Sequence, residues 1–206
     1  MKICLIDGSP KSSGSTSGKI LSIIEEKLGA GHDYVRCTSA NAEAQELIEG
    51  TSGCDAAVLA FPLYVDGIPS HLLRLLLSLE ASIASGAAGL KLYVVVNNGY
   101  FEARQNQPAL DMMRNFCTRA GLTWGQGVGI GGGGMISSAP PGSGLMRNMW
   151  RVLDMLVRHI LSGQSAEDVF PDPNVPRFLY MFLANLGWKT LARRNGIRGL
   201  SKKPDR

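Results

Sequence analysis

Apolar and polar positions along the chain form blocks that predict five strands and five helices in strict alternation. The strands are short apolar runs, whereas the helices are longer segments with apolar residues three or four positions apart. The predicted strands are Lys2–Ile6, Asp33–Cys37, Ala56–Phe61, Leu92–Val96 and Thr123–Ile130. The predicted helices are Ser15–Leu28, Ala42–Ile48, Pro69–Ile83, Ala109–Ala120 and Gly142–Leu161. This alternation predicts an α/β fold with a parallel sheet that helices cover on both faces.

The loops that follow the strands are the places where chemistry is expected. Ligands of parallel sheets bind beyond the carboxyl ends of the strands. In this sequence those loops are residues 8–17, 62–69, 97–106 and 131–144. Each of them has a distinctive composition, so each is considered for a binding role.

The first loop, Gly8–Ser17, is rich in hydrogen-bond donors. It carries six hydroxyls, two glycines and one lysine, and it leads directly into the first predicted helix. Hydroxyls, unpaired backbone N–H groups and a helix N-terminus together suit a phosphate monoester held without a metal ion. The loop lacks the Walker A and GxGxxG patterns, and it lacks the cysteine of small tyrosine phosphatases. A polar loop that only caps a helix is the alternative interpretation.

In its place after the first strand, this loop resembles the FMN phosphate loop of flavodoxin-like NAD(P)H-dependent oxidoreductases of the NADPH-dependent FMN reductase type. That family commonly reads G-S-x-R-x-x-S/G-N/S-T/S, and Lys11 stands here where arginine is common. The resemblance covers roughly residues 1–160 and implies a doubly wound, five-stranded parallel sheet in the order 2-1-3-4-5. The phosphate contacts that it implies are Ser9, Lys11, Ser15, Thr16 and Ser17.

The second loop matches the family pattern P-x-Y-x-x-x-x-P. A flavin ring is planar and needs an apolar or aromatic wall with backbone donors and acceptors beside it. Pro62, Leu63 and Tyr64 are the residues that the resemblance places at this wall, and Gly67 permits close approach of the backbone. An ordinary turn with Tyr64 packed on the core is the alternative.

The third loop is similar to the N-x-G-[FY]-x-E stretch of the same family. The resemblance implies that Asn98 hydrogen-bonds the pyrimidine edge of the flavin, that Gly99 supplies a turn, and that Tyr100 stacks on or shields the ring. A plain turn with surface aromatic residues is the alternative. The glycines of the fourth loop, residues 131–134, either let a nicotinamide approach the backbone or form a lid.

The family resemblance implies an FMN-dependent oxidoreductase that moves electrons from NAD(P)H to a quinone, a flavin or a similar small acceptor. Hydride transfer is the chemistry of the cofactor, so no catalytic side chain is required. Asp7 is expected to order the first loop, and His71 to be structural. Two other functions stay open: a flavodoxin-type electron carrier without NAD(P)H turnover, and an interaction protein that has lost the cofactor.

Charge along the chain is uneven and excludes one class of partner. The net charge is +4, but residues 189–206 hold seven basic residues and one acidic residue, which leaves the rest of the chain at −2. A nucleic-acid-binding fold carries a basic stripe on the fold itself, so we expect no nucleic-acid partner. Single-electron carriers of the flavodoxin type are usually strongly acidic, which argues against that alternative.

The sequence divides into a flavodoxin-like FMN-binding domain, residues 1–165, and a C-terminal helical extension with a basic tail, residues 166–206. The extension begins with a proline-rich linker, residues 168–176, and continues with an apolar stretch, residues 178–188. Two roles are open for this stretch. It packs as an amphipathic helix on the fold or on a dimer mate, or it makes a weak contact with an anionic membrane together with the basic tail.

Cysteine spacing and the N-terminus indicate the compartment. The four cysteines form no CxxC pair and no zinc-type spacing with histidine, so we expect neither a disulfide nor a metal site. The first apolar run is broken by Asp7 and is too short for a signal peptide. We therefore expect a cytoplasmic protein, and the family resemblance implies a homodimer or homotetramer.

Overall fold

Five parallel strands form one sheet in the order β2-β1-β3-β4-β5, as the family resemblance implied. The computed structural model describes residues 1–40, 44–83, 89–136 and 144–196. The strands are β1 (Lys2–Asp7), β2 (Asp33–Thr38), β3 (Ala56–Pro62), β4 (Lys91–Asn97) and β5 (Thr123–Ile130). The prediction of all five strands is confirmed to within a residue at each end. Strand order reverses beside β1, which places the switch point between β1 and β3.

Helices connect the strands and cover both faces of the sheet. They are α1 (Thr16–Leu28), α2 (Ala44–Thr51), α3 (Ser70–Ile83), α4 (Gln107–Ala120), α5 (Gly133–Ile136) and α6 (Arg147–Ser162). A further helix, α7 (Arg177–Arg194), lies in the C-terminal extension and joins no strands. The short helix α5 lies within the fourth loop and was not predicted. The predicted helix starts at Ala42 and Gly142 lie outside the described residues.

Alternate residues of each inner strand supply two separate cores. In β1, Cys4 and Ile6 join the core beneath α2, α3 and α4, whereas Ile3 and Leu5 join the core beneath α1 and α6. The valine-rich β4 is buried along nearly its whole length, as expected of a central strand of a two-sided parallel sheet. The carboxyl edge of the sheet is thereby held in place by packing on both sides.

The segment predicted as a proline-rich linker instead runs along the edge strand β5. We call residues 164–172 the edge strap. Its backbone exchanges hydrogen bonds with β5: Val169 donates to the Gly127 carbonyl (3.0 Å), and Gly129 donates to the Val169 carbonyl (2.9 Å). The chain divides into two compact units, Met1–Pro173 and Asn174–Arg206.

Glycines at every second position of β5 make room for this close approach. A Cβ atom at Gly127 would lie 2.8 Å from the Asp168 carboxylate, and one at Gly129 would lie 2.8 Å from the Phe170 ring. Asp168 uses the space to accept hydrogen bonds from the Gly127 N–H (2.8 Å) and the Trp124 Nε1 (3.1 Å). Residues 168–172 of the predicted linker are therefore hydrogen-bonded to, or packed along, the edge of the sheet.

Helix α7 carries apolar side chains on all sides of its axis, so the expectation of an amphipathic helix is wrong. Positions advance by about 100° per residue, which places Phe178, Leu183 and Trp188 on three different sides. Among the described residues, no helix has the combination of length and hydropathy that crossing a membrane requires.

Asp168→Ala is expected to lower the free energy of unfolding by about 2–3 kcal/mol, because it leaves the Gly127 N–H and the Trp124 indole without an acceptor. Glu167→Ala removes an exposed neighbouring carboxylate and serves as the control, with a change of about 0.5 kcal/mol or less. Urea unfolding followed by circular dichroism measures both. Equal effects of the two substitutions would contradict this account of the edge strap.

Candidate functional site

A buried amide at the end of β4 joins three elements at the carboxyl edge of the sheet. Asn97 Nδ2 donates to the Ser17 hydroxyl on α1 (3.0 Å) and to the carbonyl of Phe61 on β3 (3.1 Å). Asn97 is 5% exposed, so both hydrogen bonds are shielded from water. The start of α1 is thereby fixed relative to the ends of two central strands.

Backbone hydrogen bonds bring the remaining loops to the same edge. The second loop joins the third where Leu63 N–H donates to the Asn97 carbonyl (2.8 Å). The third loop joins the fourth where Gly133 N–H donates to the Asn98 carbonyl (2.6 Å). A Cβ atom at Gly133 would lie 2.8 Å from that carbonyl oxygen, so a glycine is needed there. All four loops singled out in the sequence therefore meet in one region.

The first loop presents a run of unpaired backbone donors. Among the described residues, the N–H groups from Ser12 to Thr16 have no protein acceptor. The side chains of Lys11, Ser12 and Ser13 are exposed beside them, and Thr16 is partly exposed. Successive N–H groups at the start of a helix, with a cation beside them, form an anion-binding arrangement. The loop thus fits a terminal phosphate.

Asp7 organises this loop from beneath. Its carboxylate accepts hydrogen bonds from the Ser9 N–H (3.0 Å) and from the Ser15 hydroxyl (2.6 Å). Ser15 in turn accepts from the Gly18 N–H (2.7 Å) and is the N-cap of α1. A Cβ atom at Gly18 would lie 2.8 Å from the Asp7 carboxylate, so the glycine keeps the space for it. The loop-ordering role expected of Asp7 is what its contacts show.

The five side chains predicted to contact phosphate, four hydroxyls and one lysine, fall into two sets. Ser9, Ser15 and Ser17 are buried, and Ser15 has already committed its only proton to Asp7. Lys11 and Thr16 reach the surface. Sequence reasoning treats all these polar groups alike, whereas the structure places three of them in the frame of the loop and two at its surface.

The second loop closes in a two-residue turn between Tyr64 and Gly67, whose N–H and carbonyl groups pair reciprocally at 3.0–3.1 Å. Val65 and Asp66 occupy the turn with φ of 48° and 55°. A β-branched residue in this left-handed region is strained, by roughly 1–3 kcal/mol. Tyr64, 46% exposed, stands at the base of the turn, next to Leu63.

The third loop uses its amide side chain to hold its own turn. Asn98 Oδ1 accepts from the Tyr100 N–H (3.0 Å), and its Nδ2 donates to the Glu102 carbonyl (3.2 Å). The expected hydrogen bond from Asn98 to a pyrimidine edge would have to replace one of these. The Tyr100 ring is 54% exposed, and a Cβ atom at Gly99 would meet nothing within 4 Å.

His71, at the start of α3, braces two loops rather than facing outward. Its ring Nε2 lies 3.0 Å from the Ser39 hydroxyl, and the imidazole also hydrogen-bonds the backbone of Gly8. Burial and the nearby Arg74 lower the pKa of His71, against the opposing effect of the Gly8 hydrogen bond. A lowered pKa means a neutral ring at pH 7, which suits a bracing role.

Ser15→Ala is expected to lower the free energy of unfolding by about 1–2 kcal/mol, because it removes the N-cap of α1 and a partner of Asp7. Thr16→Ala, one residue along, is the matched control for stability and is expected to change it by about 0.5 kcal/mol or less. Thermal or urea unfolding distinguishes the two. A Ser15→Ala protein as stable as the wild type would contradict the capping role.

Comparison with known proteins identifies the fold through structure. No protein-family model matches the sequence, and no curated protein sequence matches it significantly. Among solved structures, an apo NADH:FMN oxidoreductase superposes with a TM-score of 0.61 at 16% identity, covering 85% of this chain and 96% of that one. A flavodoxin from Streptococcus pneumonia TIGR4 gives 0.55 at 18% identity, covering 79% of this chain and 99% of that one.

An NADPH-quinone reductase from P. pentosaceus gives a TM-score of 0.55 at 15% identity, covering 81% of this chain and 99% of that one. Sequence identity this low supports the architecture and leaves the activity to be argued from the site. The strand order, the position of the loop after β1 and these superpositions together establish that the chain has the flavodoxin-like fold.

Proposed function

We propose that the protein is an FMN-dependent oxidoreductase that takes electrons from NAD(P)H and passes them to a quinone, a flavin or a similar small acceptor. The observation that carries the proposal is the run of unpaired N–H groups from Ser12 to Thr16, beside Lys11, at the carboxyl end of β1. Solved structures with this fold include an NADH:FMN oxidoreductase and an NADPH-quinone reductase, which supports the same reading.

The first loop would hold the phosphate of FMN. Its backbone N–H groups from Ser12 to Thr16 and the Thr16 hydroxyl donate hydrogen bonds, and the Lys11 ammonium supplies the positive charge. A terminal phosphate has three oxygens to accept these bonds, whereas the phosphates of a bridging pyrophosphate offer fewer each. The loop therefore favours FMN over FAD.

Exposed aromatic rings on neighbouring loops would enclose the flavin ring. Tyr64 follows β3 and Tyr100 follows β4, and these two strands are paired side by side. Pro62 and Leu63 extend the wall on the β3 side, and the open space at Gly99 admits a planar group. When bound, FMN supplies the exchange of electron pairs with a nicotinamide, and the chain supplies position and shielding from water.

The nicotinamide would approach from the fourth loop. Gly132 N–H donates to the Tyr100 carbonyl (2.6 Å), which places the glycine segment against the proposed flavin wall. Gly134 is exposed, and a Cβ atom there would meet nothing within 4 Å among the described residues. The absence of a side chain at Gly134 leaves room for a second planar ring to lie close to the first.

A flavodoxin-type electron carrier without NAD(P)H turnover is the second candidate, because flavodoxins are among the similar structures. The near-neutral charge of residues 1–188 argues against it, since such carriers rely on strongly acidic docking surfaces. Steady turnover separates the two functions.

The test is the visible absorption spectrum of purified protein after addition of FMN and desalting, followed by NAD(P)H oxidation with a quinone or excess FMN as acceptor. Retained flavin with steady turnover is the expected result. Retained flavin without turnover would favour the carrier, and a colourless protein that refuses FMN would overturn both flavin functions.

Lys11→Ala is expected to weaken FMN binding about tenfold, because it removes the one cation of the phosphate loop. Binding of riboflavin, which lacks the phosphate, is expected to change little. Lys19→Ala removes an exposed lysine one turn into α1 and is the matched control. Flavin fluorescence titration measures each affinity. An equal loss for FMN and riboflavin would show that Lys11 does not act on the phosphate.

A further inference from the structure

The proposed oxidoreductase function makes no use of helix α7, which has an unusual surface. Large apolar side chains project from it into solvent-accessible positions: Phe178 is 76% exposed, Phe182 is 63% exposed and Trp188 is 68% exposed. Met181, Leu183 and Leu186 are each about half exposed. Because these residues surround the axis, the helix has no polar side to turn toward water. A helix that is apolar all round is normally covered by something apolar.

The charged residues of α7 are all basic. Arg177 opens α7, and Lys189, Arg193 and Arg194 occupy its C-terminal end. The helix contains no acidic residue. In the sequence beyond it, residues 197–206 add four basic residues and one acidic residue. Whatever covers the apolar residues must therefore also accept a dense positive charge.

Pairing of two copies through their α7 helices does not meet that requirement. Residues 174–206 carry eight basic residues and one acidic residue, so two copies paired through α7 would bring like charges together. An anionic phospholipid surface meets both requirements at once. Its acyl region accepts the aromatic and aliphatic side chains, and its headgroup phosphates accept lysine and arginine.

The apolar stretch of α7 is shorter than the hydrocarbon core of a bilayer is thick. Residues 178–188 contain no charged side chain and extend about 16 Å as a helix, roughly half of a bilayer's hydrocarbon thickness. Trp188 directly precedes Lys189, which is the order found where a helix meets the headgroup region. Because Arg177 precedes the stretch and Lys189 follows it, both ends stay among the headgroups, and the helix lies along one leaflet with its apolar side chains inserted.

We propose that α7 binds the surface of an anionic phospholipid membrane, with its lysine and arginine side chains at the headgroups and its aromatic side chains inserted into one leaflet. This contact would hold the enzyme at a membrane, where apolar electron acceptors such as quinones are concentrated. The binding proposal concerns only α7, Arg177–Arg194, and is independent of whether the first loop binds FMN.

The experiment is flotation of the full-length protein with vesicles of phosphatidylcholine alone or mixed equally with phosphatidylglycerol. Binding to the mixed vesicles is expected to exceed binding to phosphatidylcholine by about tenfold or more, and to fall as salt is added. Trp188 fluorescence is expected to shift to the blue on binding, and the shift to vanish in Trp188→Phe while binding persists.

Two double variants test the two components of the contact. Arg193→Glu with Arg194→Glu, and Phe178→Ser with Phe182→Ser, are each expected to reduce binding about tenfold or more. Arg151→Glu with Arg158→Glu makes the same charge change on exposed residues of α6 and is the matched control, expected to bind nearly as wild type. Circular dichroism verifies that each variant is folded.

Absence of binding to the mixed vesicles would overturn the proposal. An equal loss of vesicle binding in the α6 control would also overturn it, because binding would then depend only on net charge. Unchanged binding in the phenylalanine variant would exclude insertion of the aromatic side chains. A concentration-dependent dimer that dissociates in the phenylalanine variant, without vesicle binding, would assign α7 to a second copy of the chain instead.

Discussion

The carboxyl edge of the sheet depends on one buried amide. Asn97 has two donor hydrogens, and both are used inside the protein, on the Ser17 hydroxyl and the Phe61 carbonyl. Because the site is dry, losing the amide would leave two acceptors without a partner and cost far more than an exposed hydrogen bond. The N-terminus of α1, and with it the first loop, takes its position from this contact.

The first loop separates framework from binding surface. Asp7 and Ser15 form the framework: a carboxylate and a hydroxyl whose hydrogen-bonding capacity is spent on Ser9, Gly18 and each other. The surface is mostly backbone, since the N–H groups from Ser12 to Thr16 are the ones left without acceptors among the described residues. The Asp7 carboxylate is compatible with an anion site above it, because its oxygens accept hydrogen bonds from the Ser9 N–H and the Ser15 hydroxyl.

Sequence patterns predicted the strands of the sheet well, because buried parallel strands are short apolar runs. The valine-rich β4 is such a run. The family resemblance supplied the strand order, which periodicity alone does not give. The edge strap was missed because prolines near 171–176 are typical of a linker. The alternate glycines of β5 contained a signal, since a Cβ atom at Gly127 or Gly129 would collide with the Asp168 or Phe170 side chain of the edge strap.

Within the site, the sequence located the loops but not the separate roles of the residues in each loop. Ser15 and Thr16 both carry a hydroxyl at the start of a helix. Only the structure shows that the Ser15 hydroxyl donates its hydrogen bond to the Asp7 carboxylate. The positive φ of Val65 was equally hidden, because a β-branched residue rarely adopts that conformation. In α7 the composition predicted a helix, yet the distribution of apolar residues around its axis decides what that helix can contact.

The central claim is that backbone N–H groups of the first loop bind the phosphate of FMN. The most direct measurement is the change in amide chemical shifts, by nuclear magnetic resonance, on adding FMN or riboflavin to isotopically labelled protein. The account predicts that the amides from Ser12 to Thr16 shift with FMN and stay in place with riboflavin, while Gly99 and Tyr100 shift with both. The account would be contradicted if the Ser12–Thr16 amides did not shift with FMN, or if they shifted equally with FMN and riboflavin.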